Sequence, residues 1–210
     1  MIENKKKLLR KGAESELYLI DWYGQDAVSK ARISKKYRHH SIDVTLRKQR
    51  TLHEATIMSS VKWFGVETPF IYFLNSNNFE IIMEYIVGST LKNRFSPEYC
   101  IKVGEIIANL HFNNIIHGDI TTSNFIITPQ NRLIIIDFGL SFFSERLEDK
   151  AADIRLFKEI LNSVHVDFYK TSFENFVFGY GNIYGKKSLK IFNIVNEIEL
   201  RGRYSRQIQS

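Results

Sequence analysis

The chain has 210 residues, of which 44% are hydrophobic and 25% are charged, which is enough apolar residue for one or two folded domains and excludes an intrinsically disordered chain. Its single cysteine, Cys100, has no partner for an internal disulfide. No apolar run approaches the roughly 20 residues of a membrane helix, and residues 1–5 do not open a signal peptide. We therefore expect a soluble cytoplasmic protein with no membrane partner. The net charge of +6 is uneven, because residues 1–50 carry 13 basic and 6 acidic side chains, and such clusters either bind a polyanion or form ordinary solvated faces.

The first part of the chain is predicted to be mainly sheet. Basic residues are concentrated at positions 5–11 and again at 30–40. Runs rich in apolar and β-branched residues at 16–22 and 26–33, separated by Tyr23-Gly24-Gln25, predict a strand, a turn and a strand.

A long helix and a hairpin follow. Ser41 is a suitable cap for an amphipathic helix that runs to about Val61. The runs 71–74 and 79–83, joined by the polar residues 75–78, predict a hairpin. The helix residues that we expect to be buried are Val44, Leu46, Leu52, Ala55, Ile57 and Met58.

The pattern changes near Val87-Gly88-Ser89, after which helices dominate. Ser96-Pro97-Glu98 begins a helix that reaches about Asn113, and two short strands are predicted near 125–128 and 132–136. From Glu148 the chain is predicted to be helical to its end, with breaks around 179–185.

These elements predict an α+β fold of two lobes. Residues 1–87 form a small β-rich lobe with one long helix, and residues 88–210 form a larger, mainly helical lobe. We expect the ligand site in the cleft between them, because clefts between lobes are common binding sites.

The most informative stretch is His117-Gly118-Asp119 with Asn124 five residues after Asp119, followed by Asp137-Phe138-Gly139. Phosphoryl transfer needs a carboxylate beside the attacking oxygen and two oxygen ligands that hold magnesium on the triphosphate. The patterns H-x-D-x-x-x-x-N and D-F-G supply all three. The alternative is a polar turn between strands and a chance D-F-G.

Two residues of the first lobe fit the same chemistry. Lys30, within the second predicted strand, can meet the α- and β-phosphates, and Glu54 on the long helix can hold its ammonium as an ion pair. A lone strand lysine is more often solvated surface, and Glu54 has an alternative partner in Arg50 one helical turn away.

The loop that would cover the phosphates departs from the common pattern. No G-x-G-x-x-G occurs, and Lys11-Gly12-Ala13-Glu14-Ser15 lies where that loop should be. Gly12 permits a close turn, and Ser15 and the backbone amides can donate to a phosphate, although a plain hairpin turn is an equal alternative. At the lobe boundary, backbone groups of Met83, Glu84 and Ile86 can hydrogen-bond an adenine edge or form a simple linker.

Several further segments complete a family pattern. They are Thr121-Thr122-Ser123-Asn124, the residues from Ile136 to Leu140, those from Glu148 to Asp153, and Arg201-Gly202-Arg203. With the segments above, they make essentially the whole chain resemble a minimal eukaryotic-type protein kinase. Within that group the chain resembles the small kinase subunit of the KEOPS complex, an atypical serine/threonine protein kinase of archaea and eukaryotes.

The resemblance implies a bilobal protein-kinase-like fold with ATP and Mg²⁺ as cofactors. Lys30 and Glu54 would form the ion pair, and Asp119 would be the catalytic carboxylate. The metal would be held by Asn124 and Asp137. His117 and Asp153 would stabilise the catalytic loop from beneath it.

The resemblance also implies a function and partners. Such proteins autophosphorylate and act largely as ATPases that support threonylcarbamoyladenosine formation on tRNA. The implied partners are the threonylcarbamoyltransferase subunit, a small regulatory subunit that docks on the first lobe, and tRNA. The basic tail with Arg201, Arg203 and Arg206 would contact tRNA or a partner.

Two departures bear on the activity. Thr121 stands where many protein kinases have a lysine, so Lys30 and magnesium alone would stabilise the γ-phosphate charge. Only eight residues separate Gly139 from Glu148 and no A-P-E occurs. The short segment argues against phosphorylation of other proteins more than against ATP binding.

Three other functions compete with this one. The first is a docking module in which bound nucleotide only stabilises a surface. The second is a small-molecule phosphotransferase, a class that commonly has an acidic residue where this chain has Gly139 and has a longer second lobe. The third is a ribosome-linked serine kinase, which usually has a winged-helix domain that we do not expect in 210 residues.

Overall fold

The computed structural model describes residues 6–207, with side chains as far as Arg201. The chain separates into two compact units: one comprises the residues up to Trp63 together with Glu67–Val87, and the other comprises Phe64–Val66 and the residues from Gly88 onward. In the described residues, no helix combines the length and hydrophobicity that crossing a membrane requires.

The first unit consists of one antiparallel sheet and one long helix. Its elements are β1 (Lys7–Lys11), β2 (Ser15–Trp22), β3 (Gln25–Arg32), α1 (His40–Val61), β4 (Ile71–Asn75) and β5 (Glu80–Glu84). The strand order is β1-β2-β3-β5-β4, so β3 is central and Lys30 lies between Leu17 of β2 and Ile81 of β5. The two predicted strand pairs are therefore present, and β1 adds a strand from a segment that stood out only by its charge.

The start of α1 differs from the prediction. The helix begins at His40, with His39 as the capping residue, and no side chain caps it. The prediction that Ser41 caps the helix is wrong, because Ser41 already lies inside the first turn. Its hydroxyl forms a 2.9 Å hydrogen bond with Nδ1 of His39 instead.

The buried face of α1 is more polar than predicted. Ala55, Ile57 and Met58 are buried as expected, whereas Leu52 is exposed. Asp43 and Glu54 are buried in its place. A buried carboxylate is stable only when it is paired, and both have cationic partners, described below, that periodicity does not reveal.

The second unit is mainly helical. Its helices are α2 (Tyr99–Phe112), α3 (Leu147–Val164), α4 (Tyr169–Tyr184) and α5 (Ser188–Gln207). Its short strands are β6 (Ser89–Thr90), β7 (Ile115–Ile116), β8 (Phe125–Ile127), β9 (Leu133–Ile135) and β10 (Phe142–Phe143). β6, β8 and β9 form one small sheet in that order, and β10 pairs with β7.

Glycines allow α2 and α4 to pack closely. A Cβ on Gly179 would lie 1.9 Å from the carbonyl oxygen of Ile101, and one on Gly104 would lie 2.2 Å from that of Phe176. The break predicted around residues 179–185 is present, but it lies at the end of that range, and Gly179 serves helix contact inside α4. The helix ends at Tyr184, before Gly185, which has a positive φ of 65°.

Candidate functional site

The loop between β7 and β8 holds two of the predicted site residues together. The side-chain amide nitrogen of Asn124 donates to both the backbone oxygen and Oδ2 of Asp119, each at 2.9 Å. Asn124 itself is buried and ends a 3₁₀ turn that begins at Thr122. Since the amide nitrogen is directed at Asp119, the amide oxygen is the atom of Asn124 that can coordinate a cation.

Asp137 lies next to this loop. Ile136, the preceding residue, donates its amide to the carbonyl oxygen of Asn124 at 2.8 Å. Asp137 has a left-handed backbone, with φ at 70°, and its Oδ1 accepts a 3.1 Å hydrogen bond from the amide of Gly139. Carboxylate and amide oxygens are the hard ligands that Mg²⁺ prefers, so Asn124 and Asp137 suit that ion.

The residue between His117 and Asp119 has to be glycine. Gly118 has φ at 78°, and a Cβ there would lie 2.5 Å from the carbonyl oxygen of Leu140. Phe138, two residues before Leu140, is fully buried and packs against the His117 ring at 5.1 Å between centroids. The segment after Asp137 therefore packs directly on the backbone that carries Asp119.

Asp153 of α3 stabilises this loop from inside the unit. Its Oδ2 accepts the amide of His117 at 2.8 Å, and its Oδ1 accepts that of Gly118 at 2.9 Å. Nε2 of His111 lies 3.1 Å from Oδ2. Burial alone would raise the pKa of Asp153, but the hydrogen bond and charge of His111 and the bond from the His117 amide hold it below its ordinary value.

Lys30 and Glu54 form an ion pair in the first unit. Nζ of Lys30 lies 2.5 Å from Oε1 of Glu54, and both side chains are almost fully buried. Nη2 of Arg32 lies 2.5 Å from the other carboxylate oxygen. Arg50, the alternative partner of Glu54, pairs with Glu14 instead.

Sequence reasoning missed two residues of these networks. In the sequence, Arg32 was recognised only as part of a basic run. Its position two residues after Lys30 places both side chains on one face of β3. His111 counted only as a residue of a helical face. Its Nδ1 lies 2.9 Å from the hydroxyl of Tyr180, so the imidazole links α4 to Asp153.

The segment predicted to cover the phosphates is a tight turn between β1 and β2. The amide of Gly12 donates to the carbonyl oxygen of Ser15 at 2.9 Å, and Nζ of Lys35 donates to the carbonyl oxygen of Ala13. Nζ of Lys11 lies 2.9 Å from Glu16, whose hydrogen bond raises the pKa of Lys11 above its ordinary value. The ammonium of Lys11 is thus paired across β1 and β2 with the residue opposite it.

The residues predicted to meet adenine lie at the end of β5. Met83 and Ile86 are buried. Glu84 donates its amide to the carbonyl oxygen of Phe70 at 2.8 Å, and its carboxylate accepts the Phe70 amide at 3.1 Å. These bonds hold the end of β5 against the start of β4.

The predicted sites thus fall into three groups. In the second unit, direct hydrogen bonds connect Asp119 with Asn124, and His117 with Asp153. In the first unit, Lys30 contacts Glu54. Arg201 is exposed on α5, 3.4 Å from Glu197, and the side chains of Arg203 and Arg206 lie outside the described part of the chain.

Comparison with known proteins identifies the pattern. The model of the protein kinase domain family matches residues 7–158. The KEOPS complex subunit Bud32 of Pyrococcus abyssi is 38% identical in an alignment of 212 positions that covers 94% of this chain and 96% of that protein. A probable bifunctional tRNA threonylcarbamoyladenosine biosynthesis protein of Methanobrevibacter smithii is 42% identical over 198 residues.

The two kinds of relative differ in length. The match covers 94% of this chain but only 37% of the Methanobrevibacter smithii protein. Among solved structures, the Rio2 kinase from Chaetomium thermophilum has a similar fold, with a TM-score of 0.62 at 16% identity over 93% of this chain and 71% of that one. The predicted fold class and the family resemblance are thereby confirmed.

Proposed function

This chain belongs to the protein kinase family and, within it, to the family of the KEOPS subunit Bud32, and from this premise we propose that it is a Mg-ATP-dependent serine/threonine kinase and ATPase. In this proposal it autophosphorylates and turns over ATP as a subunit of a KEOPS complex that supports threonylcarbamoyladenosine modification of tRNA. The observation that carries the proposal is the hydrogen bond from Asn124 to Asp119, together with the bond from the amide of Ile136 to the Asn124 carbonyl oxygen, which holds the neighbouring Asp137 next to this loop.

Each residue has a role that follows from its chemistry. Asp119 orients the attacking hydroxyl or water and accepts its proton, while its bond to Asn124 restrains the carboxylate. Asn124 and Asp137 hold the magnesium ion, which when bound neutralises phosphate charge. Lys30, held by Glu54, contributes its ammonium to the phosphates. In the turn of residues 11–15, Ala13 and Ser15 contribute donors, Gly12 permits the close turn, and Lys11 adds positive charge beside it.

The names of the relatives support the choice of assembly. One relative is a KEOPS subunit and the other is described as a tRNA threonylcarbamoyladenosine biosynthesis protein. We extend this to a cytoplasmic complex with a threonylcarbamoyltransferase subunit, a small regulatory subunit on the first unit, and tRNA. The alternatives are a non-catalytic nucleotide-binding docking module and a small-molecule phosphotransferase.

The fate of γ-labelled ATP with magnesium tests the proposal. Label should appear on the wild-type chain and, with the transferase partner added, as free phosphate. Asp119→Asn and Asp137→Ala should each lower turnover by about a thousandfold, since the first removes the proton acceptor of the attacking oxygen and the second removes a magnesium ligand. Asp167→Ala, which removes an exposed carboxylate of the same unit, is the matched control and should retain turnover.

Two outcomes would contradict the proposal. Retained turnover in Asp137→Ala, with an unchanged thermal unfolding curve, would refute the site assignment. Nucleotide binding without turnover by the wild-type chain, alone and with its partner, would favour the docking module.

A further inference from the structure

Glu14 lies in the turn between β1 and β2, where three arginines surround its carboxylate. Arg50 of α1 donates to Oε2 through Nη1. Nη2 of Arg38 lies 3.5 Å from Oε1, and Nη1 of Arg32 lies 3.8 Å from Oε2. The hydrogen bond from Arg50 outweighs partial burial and lowers the pKa of Glu14 below its ordinary value.

Backbone bonds hold the same turn on its other side. The carbonyl oxygen of Glu14 accepts the amide of Ile33 at 3.1 Å, just beyond β3. With the Gly12 to Ser15 bond and the contact from Lys35 to Ala13, the turn is attached to β3 and to the segment that follows it. Its conformation is therefore determined by contacts outside the turn itself.

The contacts of Glu14 continue to the candidate phosphate lysine. Arg32, which approaches Glu14 with one guanidinium nitrogen, lies 2.5 Å from Glu54 with the other. Glu54 in turn lies 2.5 Å from Lys30. Ionic contacts thus run without interruption from Arg50 through Glu14, Arg32 and Glu54 to Lys30.

We propose that Glu14 is a positioning residue that holds the turn of residues 11–15 in the conformation that binds the nucleotide phosphates. A turn that is ordered before binding loses less conformational freedom when the ligand arrives, which favours affinity. The arginines also neutralise a carboxylate that would otherwise repel a triphosphate. This inference rests on the proposed function, because it presupposes that the chain binds ATP.

Calorimetric titration of the full chain with adenosine and with MgATP tests this role. Glu14→Gln keeps the size of the side chain and removes its charge. Its dissociation constant for MgATP should rise about fivefold, because a charge-assisted contact is lost, while that for adenosine stays unchanged. In turnover assays the KM for ATP should rise and kcat should stay within about twofold.

Two further variants sharpen the test. Asp26→Asn removes an exposed carboxylate at the far end of β3 and should leave MgATP affinity unchanged. Arg50→Met keeps the aliphatic part of the side chain and removes its charge. It should weaken MgATP binding, though no more than Glu14→Gln does. The double variant should be no weaker than Glu14→Gln alone, because the charge of Arg50 acts on the turn through Glu14.

The outcomes separate this inference from the proposed function. If Glu14→Gln binds MgATP as well as or more tightly than the wild type, the positioning role is wrong. Equal losses for adenosine and MgATP would also refute it, since they indicate a general disturbance of the unit. If the wild-type chain fails to bind MgATP, the proposed function itself fails.

Discussion

At the scale of single residues, Gly118 shows why this chain has glycine between His117 and Asp119. Its backbone is left-handed, and the carbonyl oxygen of Leu140 occupies the place of a side chain. Asp153 adds two hydrogen bonds to the same backbone. The backbone just before Asp119 is thus fixed by Leu140 on one side and by Asp153 on the other, and this orients Asp119.

Gly118→Ala should destabilise the protein by about 3 kcal/mol, because it combines backbone strain with a clash against backbone. The matched control is Gly24→Ala, at a turn with φ of 84° and no atom within 4 Å of the new Cβ. The free energy of unfolding of Gly24→Ala should fall by only about 1 kcal/mol, which is the cost of the left-handed backbone alone. Urea unfolding of both variants measures the difference, and equal losses would refute the packing argument.

Asp153 predicts a dependence of stability on pH. Its folded-state pKa is below its ordinary value of 3.8, so the ionised carboxylate contributes its full stabilisation above about pH 4. That contribution is lost as pH falls through the lower folded-state pKa. Asp153→Asn should therefore cost about 3 kcal/mol at pH 7 and progressively less below pH 4.

Unfolding free energies of wild type and Asp153→Asn between pH 3 and pH 7 test this. Asp167→Asn, at an exposed position, should match the wild type throughout. If the unfolding free energies of wild type and Asp153→Asn differ by the same amount at every pH in this range, the assignment of a lowered pKa to Asp153 is wrong.

At the scale of elements, the helices show what a local pattern does and does not contain. The spacing of Ala55, Ile57 and Met58 correctly predicts one face of α1, but Leu52 is exposed while Glu54 is buried. Glu54 is buried because Lys30 and Arg32 reach it from another element, 24 and 22 residues away. A pattern of hydrophobic spacing within one helix contains no information about such partners.

The two glycines of α4 provide a direct test of element packing. Gly179→Ala places a methyl group 1.9 Å from the Ile101 carbonyl oxygen, so α2 and α4 must separate, and we expect a loss of about 3 kcal/mol. Gly181 has no atom within 4 Å of its new Cβ. Gly181→Ala should therefore stabilise the protein by up to about 1 kcal/mol through helix propensity.

Thermal unfolding of both variants checks this pair of predictions. Opposite shifts of the midpoint are expected. If Gly179→Ala were as stable as the wild type, the close packing of the two helices would be disproved.

A local sequence pattern contains no information about distant partners, and this explains which parts of the site were predictable. Asp119, Asn124 and Asp137 lie within 19 residues of one another and carry recognisable motifs. The contacts of His111 with Asp153 and of Arg50 with Glu14 join residues 42 and 36 positions apart. Such pairs have no local signature, so the contact of His111 with Asp153 and that of Arg50 with Glu14 were not predicted. Glu54 and Asp153 were predicted from motifs, and they contact Lys30 and the amides of His117 and Gly118.

At the scale of the whole molecule, much of the positive charge in the first 50 residues is paired. Lys30 and Arg32 are buried against Glu54, and Arg47 lies 2.7 Å from Asp43. The run at residues 30–40 is therefore not a continuous solvated basic face. The C-terminal arginines stay a predicted contact for a polyanion, and a deletion tests them.

Under the proposed function, deletion of residues 201–210 should weaken assembly or tRNA binding and reduce the salt dependence of that binding. Three arginines are lost without any acidic residue, so the slope of log affinity against log salt should become shallower by about 2 to 3. Replacing the exposed Lys186 and Lys187 with Gln removes two charges elsewhere and serves as the control. An identical slope for wild type and deletion would exclude the tail from binding.

The pairing of β10 with β7 has a consequence for inhibition. Phe138 is fully buried, and within five residues the chain is hydrogen-bonded to Ile115 and Ile116 and held by the contact of Leu140 with Gly118. A ligand that displaced Phe138 would need the segment after Asp137 to swing outward. Here that movement would break a strand pair, so compounds that leave this segment in place offer the better starting chemistry.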